Sequence, residues 1–288
     1  MTIRDTLQAG SARLTNSETP FLDAGLLLAS VLGISREKLL ASYPDLLSEE
    51  GRKTFDKLIE KRIAGFPVSY ILNQKEFFGR IFYVDERVLV PRPDTEILVE
   101  TALAVIKNLI QTRKNDTIGI EPIKLIDVCT GTGCIPITIA RETENVNMAI
   151  TASELSEKAM EVFRINQERL GAQEIKLLKS DLLSNVPETY DVITSNPPYL
   201  TQQETKTMMD SGWPEPALAL DGGEDGLDLV RHLIKQSLTK LNPGGWLIME
   251  AAWNQMETIK NIMVITGFSN TAIIQDLAGR NRVVKGQI

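Results

Sequence analysis

The chain is poor in histidine and cysteine. His232 is its only histidine, and Cys129 and Cys134 are its only cysteines. Those two lie too close in sequence to staple a fold, so no disulfide framework is expected and a reducing compartment is. A zinc site would need roughly four ligands, and with a single histidine no metal is expected. Long apolar runs are also missing. No stretch approaches the roughly 18 uninterrupted apolar residues of a membrane span. The opening "MTIRDTLQAGSARL" lacks the apolar core of a signal peptide, so a soluble, cytoplasmic protein is expected, with no membrane partner. Nor is there an excess of positive charge. The net charge of -7 argues against broad attraction to nucleic acid or anionic membranes. Internal repeats and low-complexity tracts are absent. What remains is an ordinary globular composition, 288 residues at 43% hydrophobic and 24% charged. That is enough for a sizeable core in one large domain or two ordinary ones.

Residues 1–74 read as a helical bundle. "PFLDAGLLLASVLG" has helical spacing with Gly33 as a stop, and "SEEGRKTFDKLIEKRIAG" runs from Ser48 to Gly65. No strand signal precedes "VSYIL". The segment is nearly neutral while the rest of the chain is acidic, which suits either a docking surface for substrate or a structural appendage. Residues 75–92 read as a β-hairpin linker. "EFFGRIFYVDERVLVPRPDTE" alternates around Gly79 as two short strands, with Pro91 and Pro93 ending them. From residue 93 to 288 the pattern is a helix, "TEILVETALAVIKNLIQT", then a polar loop, "RKNDTIGIEPI", then strands and helices in alternation. "KLIDV", "MAITAS", "IKLLK", "YDVITS" and "WLIME" are the five strand signals, with "LNPGG" a turn before the last. "TAIIQDL" and "NRVVKG" form a terminal pair joined through Ala278, Gly279 and Arg280. Such alternation predicts an α/β fold with a mostly parallel sheet, and ligands at the carboxyl ends of its strands.

Three of those strand ends carry candidate binding residues. "DVCTGTGC" joins the first to its helix; Gly131 and Gly133 let backbone approach a ligand, and the helix N-terminus favours an anion. The same pattern also occurs as a tight turn with no ligand. Glu154 ends the second strand, where an acid accepts from ribose hydroxyls or simply favours the next helix N-terminus. Asp181 follows the third, placed to accept from an adenine amine, with Leu182 to pack on the ring; a turn aspartate and a core leucine are the alternative. Taken together these describe a nucleoside pocket beside an anion-binding turn.

The fourth strand ends in "SNPPYL". Two prolines stop a strand abruptly and hold the chain extended, so Asn196 and Tyr199 sit on a stiff tip. A planar NH2 group is a poor nucleophile because its lone pair is delocalised. The Asn196 side-chain oxygen and the Pro197 carbonyl together accept both of its protons, orient it and favour the charge that develops on it. Tyr199 stacks on its flat face. The electrophile that fits the neighbouring pocket is S-adenosylmethionine, leaving S-adenosylhomocysteine. No strong base is required, which agrees with the scarcity of histidine.

"VLVPRPDTE", "DVCTGTGC", "SNPPYL", "EPALALDGGEDGLD" and "DLAGRNRVV" resemble, in order and spacing, the HemK/PrmC family of methyltransferases. The resemblance runs from about residue 65 to the end and narrows the reading, since "NPPY" alone is shared with adenine-N6 methyltransferases acting on nucleic acid. It implies a Rossmann-like class I methyltransferase with a seven-stranded sheet and a small N-terminal helical domain. It further implies methylation of glutamine N5 in the Gly-Gly-Gln loop of class-one peptide-chain release factors, and so a role in translation termination. On it, Cys129, Thr130, Gly131, Thr132 and Gly133 line the cofactor turn, Glu154 takes the ribose position and Leu182 flanks adenine. Asn196 serves both cofactor and substrate, and Pro197, Pro198 and Tyr199 complete the substrate clamp. The family usually has glycine at Cys129 and aspartate at Glu154, and "EAAWNQ" at 250–255 also differs. Adenine-N6 methylation is the second enzyme reading, disfavoured by the acidic charge, and a catalytically silent binding protein the third. A monomer is expected.

Overall fold

The structure is a computed structural model that describes residues 1–113, 121–276 and 278–288. The chain divides into two compact units, one of residues 1–74 with 212–214, the other of 75–211 with 215–288.

The first unit is helical. Its elements are α1 (Ile3–Arg13), α2 (Pro20–Leu32), α3 (Arg36–Ala41), α4 (Glu49–Ile63) and α5 (Val68–Leu72). Side chains set the helix starts. Thr2 accepts from Asp5 N while Asp5 accepts from Thr2 N, and Ser35 and Ser48 cap α3 and α4. Gly33, at φ 64, ends α2. The β-branched run "VSYIL" is helical because Pro67 pre-sets the entry and Asn73, at φ 50, stops it after little more than a turn. Leu7, Leu27, Leu28, Phe55 and Ile59 form the core of this unit. Arg62 pairs with the buried Asp23 at 2.8 Å.

The second unit opens with β1 (Lys75–Phe77) and β2 (Arg80–Phe82), antiparallel about Phe78 and Gly79. Both turn residues have positive φ, 51 and 72, the backbone a two-residue hairpin needs. Phe77 and Phe82 meet edge to face at 6.1 Å and are buried in this unit's core. The hairpin stops at Phe82, well before the prolines expected to end it. Tyr83 gives its N–H to the Asn166 side chain at 2.6 Å instead of to a strand.

A 3-10 turn at Pro93–Thr95 leads into α6 (Glu96–Arg113). Residues 114–120 of the expected polar loop lie outside the described residues. Then follow β3 (Ile123–Val128), α7 (Cys134–Glu142), β4 (Met148–Glu154), α8 (Glu157–Arg169), β5 (Lys176–Lys179) and β6 (Tyr190–Ser195). After these come α9 (Gln202–Asp210), α10 (Asp228–Lys240), β7 (Leu241–Glu250), α11 (Met256–Thr266), β8 (Ser269–Gln275) and β9 (Asn281–Gln287). Two of these differ from expectation. Sequence periodicity did not predict α9, although Thr201 and Glu204 form a capping box at its start. The "LNPGG" segment belongs to β7 rather than to a turn. Leu241 pairs with Tyr190, and an irregularity before Trp246 absorbs the proline. The terminal pair forms as expected, β8 antiparallel to β9, with Leu277 outside the described residues.

The seven strands lie in the order β5-β4-β3-β6-β7-β9-β8. The first five are parallel, and β9 runs antiparallel to both neighbours. Side-chain alternation divides the core between the two faces. Leu125, Val192, Ile248 and Val283 join one cluster with α6 and α7, while Ile126, Ile193, Leu247 and Val284 join another with α10 and α11. Registers Val128↔Ser153, Val128↔Ser195 and Glu154↔Lys179 bring the ends of β3, β4, β5 and β6 to one edge. The strand order reverses between β3 and β6, which is where such sheets open a crevice.

Candidate active site

A cleft opens at that edge, with about 1010 Å3 of space, part of it continuous with solvent, at the upper end of small-ligand sites. Cys129, Thr130, Gly131 and Thr132 form one part of its wall, and Glu154, Asp181 and Leu182 another. Asn196 and Pro198 close a third side. Gly133, Pro197 and Tyr199, also expected at the site, are not on the wall. Gly133 lacks a side chain for the sake of the core rather than a ligand. A Cβ there would come within 2.6 Å of Phe163 and 2.9 Å of Ile137. Tyr199 packs against the cluster on the α10–α11 side.

Of the non-glycine residues at positive φ, Cys129 (59) and Leu182 (49) both lie on the cleft wall. For side chains without a local hydrogen-bonding group this backbone costs about 1–2 kcal/mol each, and such outliers cluster at binding sites. Burial and the charges of Glu154 and Asp127 push the Cys129 thiol upward, so it is a neutral wall group and no nucleophile.

Glu154 is more engaged than its sequence position suggests. Oε1 accepts from the N–H groups of Leu155 and Ser156, each at 2.9 Å, and Oε2 accepts from Gly131 N at 2.9 Å. The carboxylate therefore ties the end of β4 to the glycine turn. With about two lone pairs per oxygen, only Oε2 has room for a further donor. Asn166, fully buried on α8, anchors the same turn from behind. Its amide donates to Thr132 O and to Tyr83 O, each at 3.0 Å. Asp127, beneath the turn, accepts from Thr194 Oγ1 at 2.8 Å. Burial and the charge of Glu154 push its carboxyl up to about 7.

Asn196 donates through Nδ2 to Thr95 Oγ1 at 3.3 Å, while its Oδ1 is buried without a hydrogen-bond partner. The tip it stands on is held from below. Leu200 N donates to Leu220 O at 2.9 Å, and Gly222 N to Leu200 O at 2.8 Å. Gln255 Nε2 donates to Tyr199 O at 2.9 Å. Gly222 and Gly226 allow this approach, since a Cβ on either would fall within 2.8 Å of the Pro198–Tyr199 backbone. The phenol of Tyr199 is pushed up to about 12, by burial and then by the Glu250 charge, so it stays protonated.

Sequence reasoning missed the opposite wall, formed by Arg87, Val88, Leu89, Pro91, Arg92 and Thr95 with Pro216, Leu218 and Ala219. Glu215, only 2% exposed, clasps the two strips together. It accepts from Val90 N at 2.9 Å and from Arg92 Nη2 at 2.5 Å. Asp94 in turn pairs with Arg282 at 2.9 Å. Apart from Arg87, these residues lie in the "VLVPRPDTE", "EPALALDGGEDGLD" and "DLAGRNRVV" blocks, which carried the family resemblance without a stated physical role.

A strand-reversal cleft with a strained glycine turn, an acid at the end of the second strand and Asn-Pro-Pro-Tyr at the fourth defines a class I S-adenosylmethionine-dependent methyltransferase. The fold agrees with a solved methyltransferase from Pyrococcus furiosus, at 20% identity and a TM-score of 0.51 over 81% of this chain and 96% of that one. Residues 5–72 match the PrmC N-terminal domain model, and residues 107–212 the methyltransferase small domain model. A release factor glutamine methyltransferase from Clostridium botulinum is 38% identical over 92% of this chain and 91% of its own. Another from Koribacter versatilis is 34% identical over 100% and 99%. The chain belongs to the release factor glutamine methyltransferase family.

Proposed function

We propose that this enzyme methylates N5 of the glutamine in the Gly-Gly-Gln motif of class-one peptide-chain release factors. One observation carries the reading. Asn196 presents a buried amide oxygen with no partner at the cleft. A buried acceptor left unpaired costs free energy unless a donor arrives, and a primary carboxamide is such a donor.

S-adenosylmethionine, when bound, supplies a methyl group on a positively charged sulfur, open to attack by an amide nitrogen. The residues present fit it. The glycine turn 129–133 lies over the N-terminus of α7, Glu154 Oε2 retains an acceptor site for a ribose hydroxyl, and Leu182 offers an apolar face. Asp181 is exposed on the same wall, where it accepts from an amine.

Toward the substrate, Asn196 Oδ1, which has no partner in the protein, accepts one N–H of the glutamine amide and favours the positive charge that grows on nitrogen. The Pro197 carbonyl takes the other N–H only if the guest reaches past the wall that Asn196 and Pro198 line. Pro197 and Pro198 have no N–H of their own to compete for that site. Tyr199 stays neutral and supports the tip through its ring. His232 lies on α10 and does not line the cleft, so no histidine base takes part. The helical unit 1–74 provides the docking surface for the release factor, and the proteins named for this reaction match across both units.

The test is incubation with methyl-labelled S-adenosylmethionine and a release factor, either wild type or with its loop glutamine changed to alanine. Label confined to the wild-type factor, located on glutamine by peptide mass spectrometry, is expected. Equal label in both overturns the proposal.

A further inference from the structure

A Gly-Gly-Gln loop gives a partner little to hold. Glycine has no side chain, so the loop presents a single one, and a carboxamide alone does not tell one protein from another. Stable protein recognition buries about 800 Å2 on each partner, far more than one such loop supplies. Recognition therefore needs a contact away from the glutamine. The helical unit carries a groove suited to it. Two adjoining hollows, of about 440 and 540 Å3 with part of each open to solvent, share Leu7, Phe21 and Tyr43 and so form one groove along α1, α2 and α3. Leu7 and Leu39, each 1% exposed, form its floor with the buried Gly25. Phe21 and Leu40 line it while 51% and 62% exposed, the two large apolar side chains of the groove left to water. Glycine inside a helix is less stable than alanine. Packing does not require one at Gly25, where a Cβ would meet only Leu39 Cδ2 outside its own helix, at 4.0 Å. Its bare backbone leaves the groove deep.

Charge singles out the same groove. The helical unit has five arginines, at 4, 13, 36, 52 and 62. Three are matched with acids of their own unit: Arg13 with Asp56 and Glu60, Arg52 with Glu49, and Arg62 with Asp23. Arg4 and Arg36 form no ion pair among the described residues, and these are the two that line the groove. Arg4 lies over the Tyr43 ring at 5.5 Å, which holds the guanidinium at the edge without neutralising it. Against the two cations stands one acid, Glu37. An apolar trough edged by two unmatched guanidinium groups is complementary to a protein segment that carries an apolar side chain beside carboxylates. A phosphate backbone would leave the aliphatic floor uncovered.

Resting on the release-factor reading above, we propose that this groove docks an acidic, apolar-tipped segment of the release factor that lies outside its Gly-Gly-Gln loop. An aliphatic or aromatic side chain enters among Phe21, Leu40 and Tyr43, and neighbouring carboxylates pair with Arg4 and Arg36.

Three full-length variants test it: Arg4→Glu with Arg36→Glu, which reverses both charges; Leu40→Ser, which removes an exposed apolar wall; and Arg4→Lys with Arg36→Lys, which keeps the charge. Two quantities are read for each, the affinity for a release factor whose loop glutamine is changed to alanine, and KM and kcat on the wild-type factor. Charge reversal and Leu40→Ser are each expected to weaken binding and raise KM about tenfold or more. Their kcat stays within about threefold, since only uniform binding is lost, and the lysine pair stays within about threefold throughout. Added salt weakens the wild type more than the charge-reversed variant. Affinity and KM within about threefold of wild type after charge reversal overturn the proposal, as does a fall in kcat at unchanged KM. Wild-type self-association that charge reversal abolishes assigns the groove to a second copy and also overturns it. Should Leu40→Ser melt below wild type, charge reversal alone decides, because both of its sites are exposed. If the wild-type enzyme does not label the release factor, the function itself fails and takes the docking with it. If it labels the factor and the variants match it, only the groove falls.

Discussion

Asp127→Asn should stabilise the free enzyme, and only at neutral to alkaline pH. Asp127 lies on β3 with no exposed surface. Oδ1 is satisfied by Thr194, but Oδ2 has no partner. The Thr130 hydroxyl is near enough to favour the charge, yet its Oγ1 completes no hydrogen bond either. Burial wins, and the carboxyl rises from 3.8 to about 7. Between those values the folded state keeps a proton that the unfolded state has lost, so this group's contribution to stability falls as pH rises from about 4 to 7 and stays low above. A shift of about three units corresponds to about 4 kcal/mol at most. Asparagine retains the oxygen for Thr194 and replaces the unpaired Oδ2 with a donor facing Thr130. The gain expected above pH 8 is about 1–4 kcal/mol, or about 2–16 °C in melting temperature for a unit of this size. Glu250 is also raised, to about 7, but it titrates in both proteins and cancels in the difference. Melting both proteins without ligand at pH 4.5 and 8.5 provides the test. A gain that is the same at both pH values, or no gain at 8.5, refutes the buried-charge reasoning.

Asn196→Ala should lower kcat by about 100–1000-fold, the usual cost of one pre-aligned partner for developing charge, while S-adenosylhomocysteine affinity measured by calorimetry falls much less. Cys129→Gly should relieve the left-handed backbone, about 1–2 kcal/mol, against about 0.5–1 kcal/mol for the added freedom of glycine in the unfolded chain. A net gain of up to about 1 kcal/mol in urea unfolding is expected, and a clear loss would show that the thiol's packing outweighs the strain.

The sheet was legible because its central strands are short and apolar on both faces. "YDVITS" is buried at every position, and "KLIDV" at nearly every one, which is the signature of parallel strands covered by helices. The glycine turn and the Asn-Pro-Pro-Tyr tip were legible because each follows such a strand directly. Other features depend on partners far away in sequence. The Glu215 contact with Val90 spans 125 residues, and that of Asn196 with Thr95 spans 101. No local pattern encodes either. Glu250 was hidden for a different reason: inside "WLIME" it reads as the polar end of an apolar strand, and nothing in the local sequence shows that it is buried. Gly133 was legible as a glycine and misassigned in purpose, since its neighbours Phe163 and Ile137 come from helix positions a motif does not show.

The distribution of these long-range ties explains how one short tip acquires a defined chemistry. Arg92, Asp94 and Thr95 lie within four consecutive residues of the "PRPDTE" block, and each holds a different part of the second unit. Arg92 grips Glu215, Asp94 grips Arg282, and Thr95 meets Asn196. A turn built on Pro91 and Pro93 has few conformations of its own, so three side chains leaving it at fixed angles act as a rigid bracket. The glycines of "DGGEDG" fasten the Asn-Pro-Pro-Tyr tip to the same framework from the opposite side. An Asn-Pro-Pro-Tyr sequence on a strand end supplies acceptors for any planar amine. What the bracket adds is part of the cleft wall that also carries Asn196. The blocks that narrowed the family in sequence are thus the ones that converge in space.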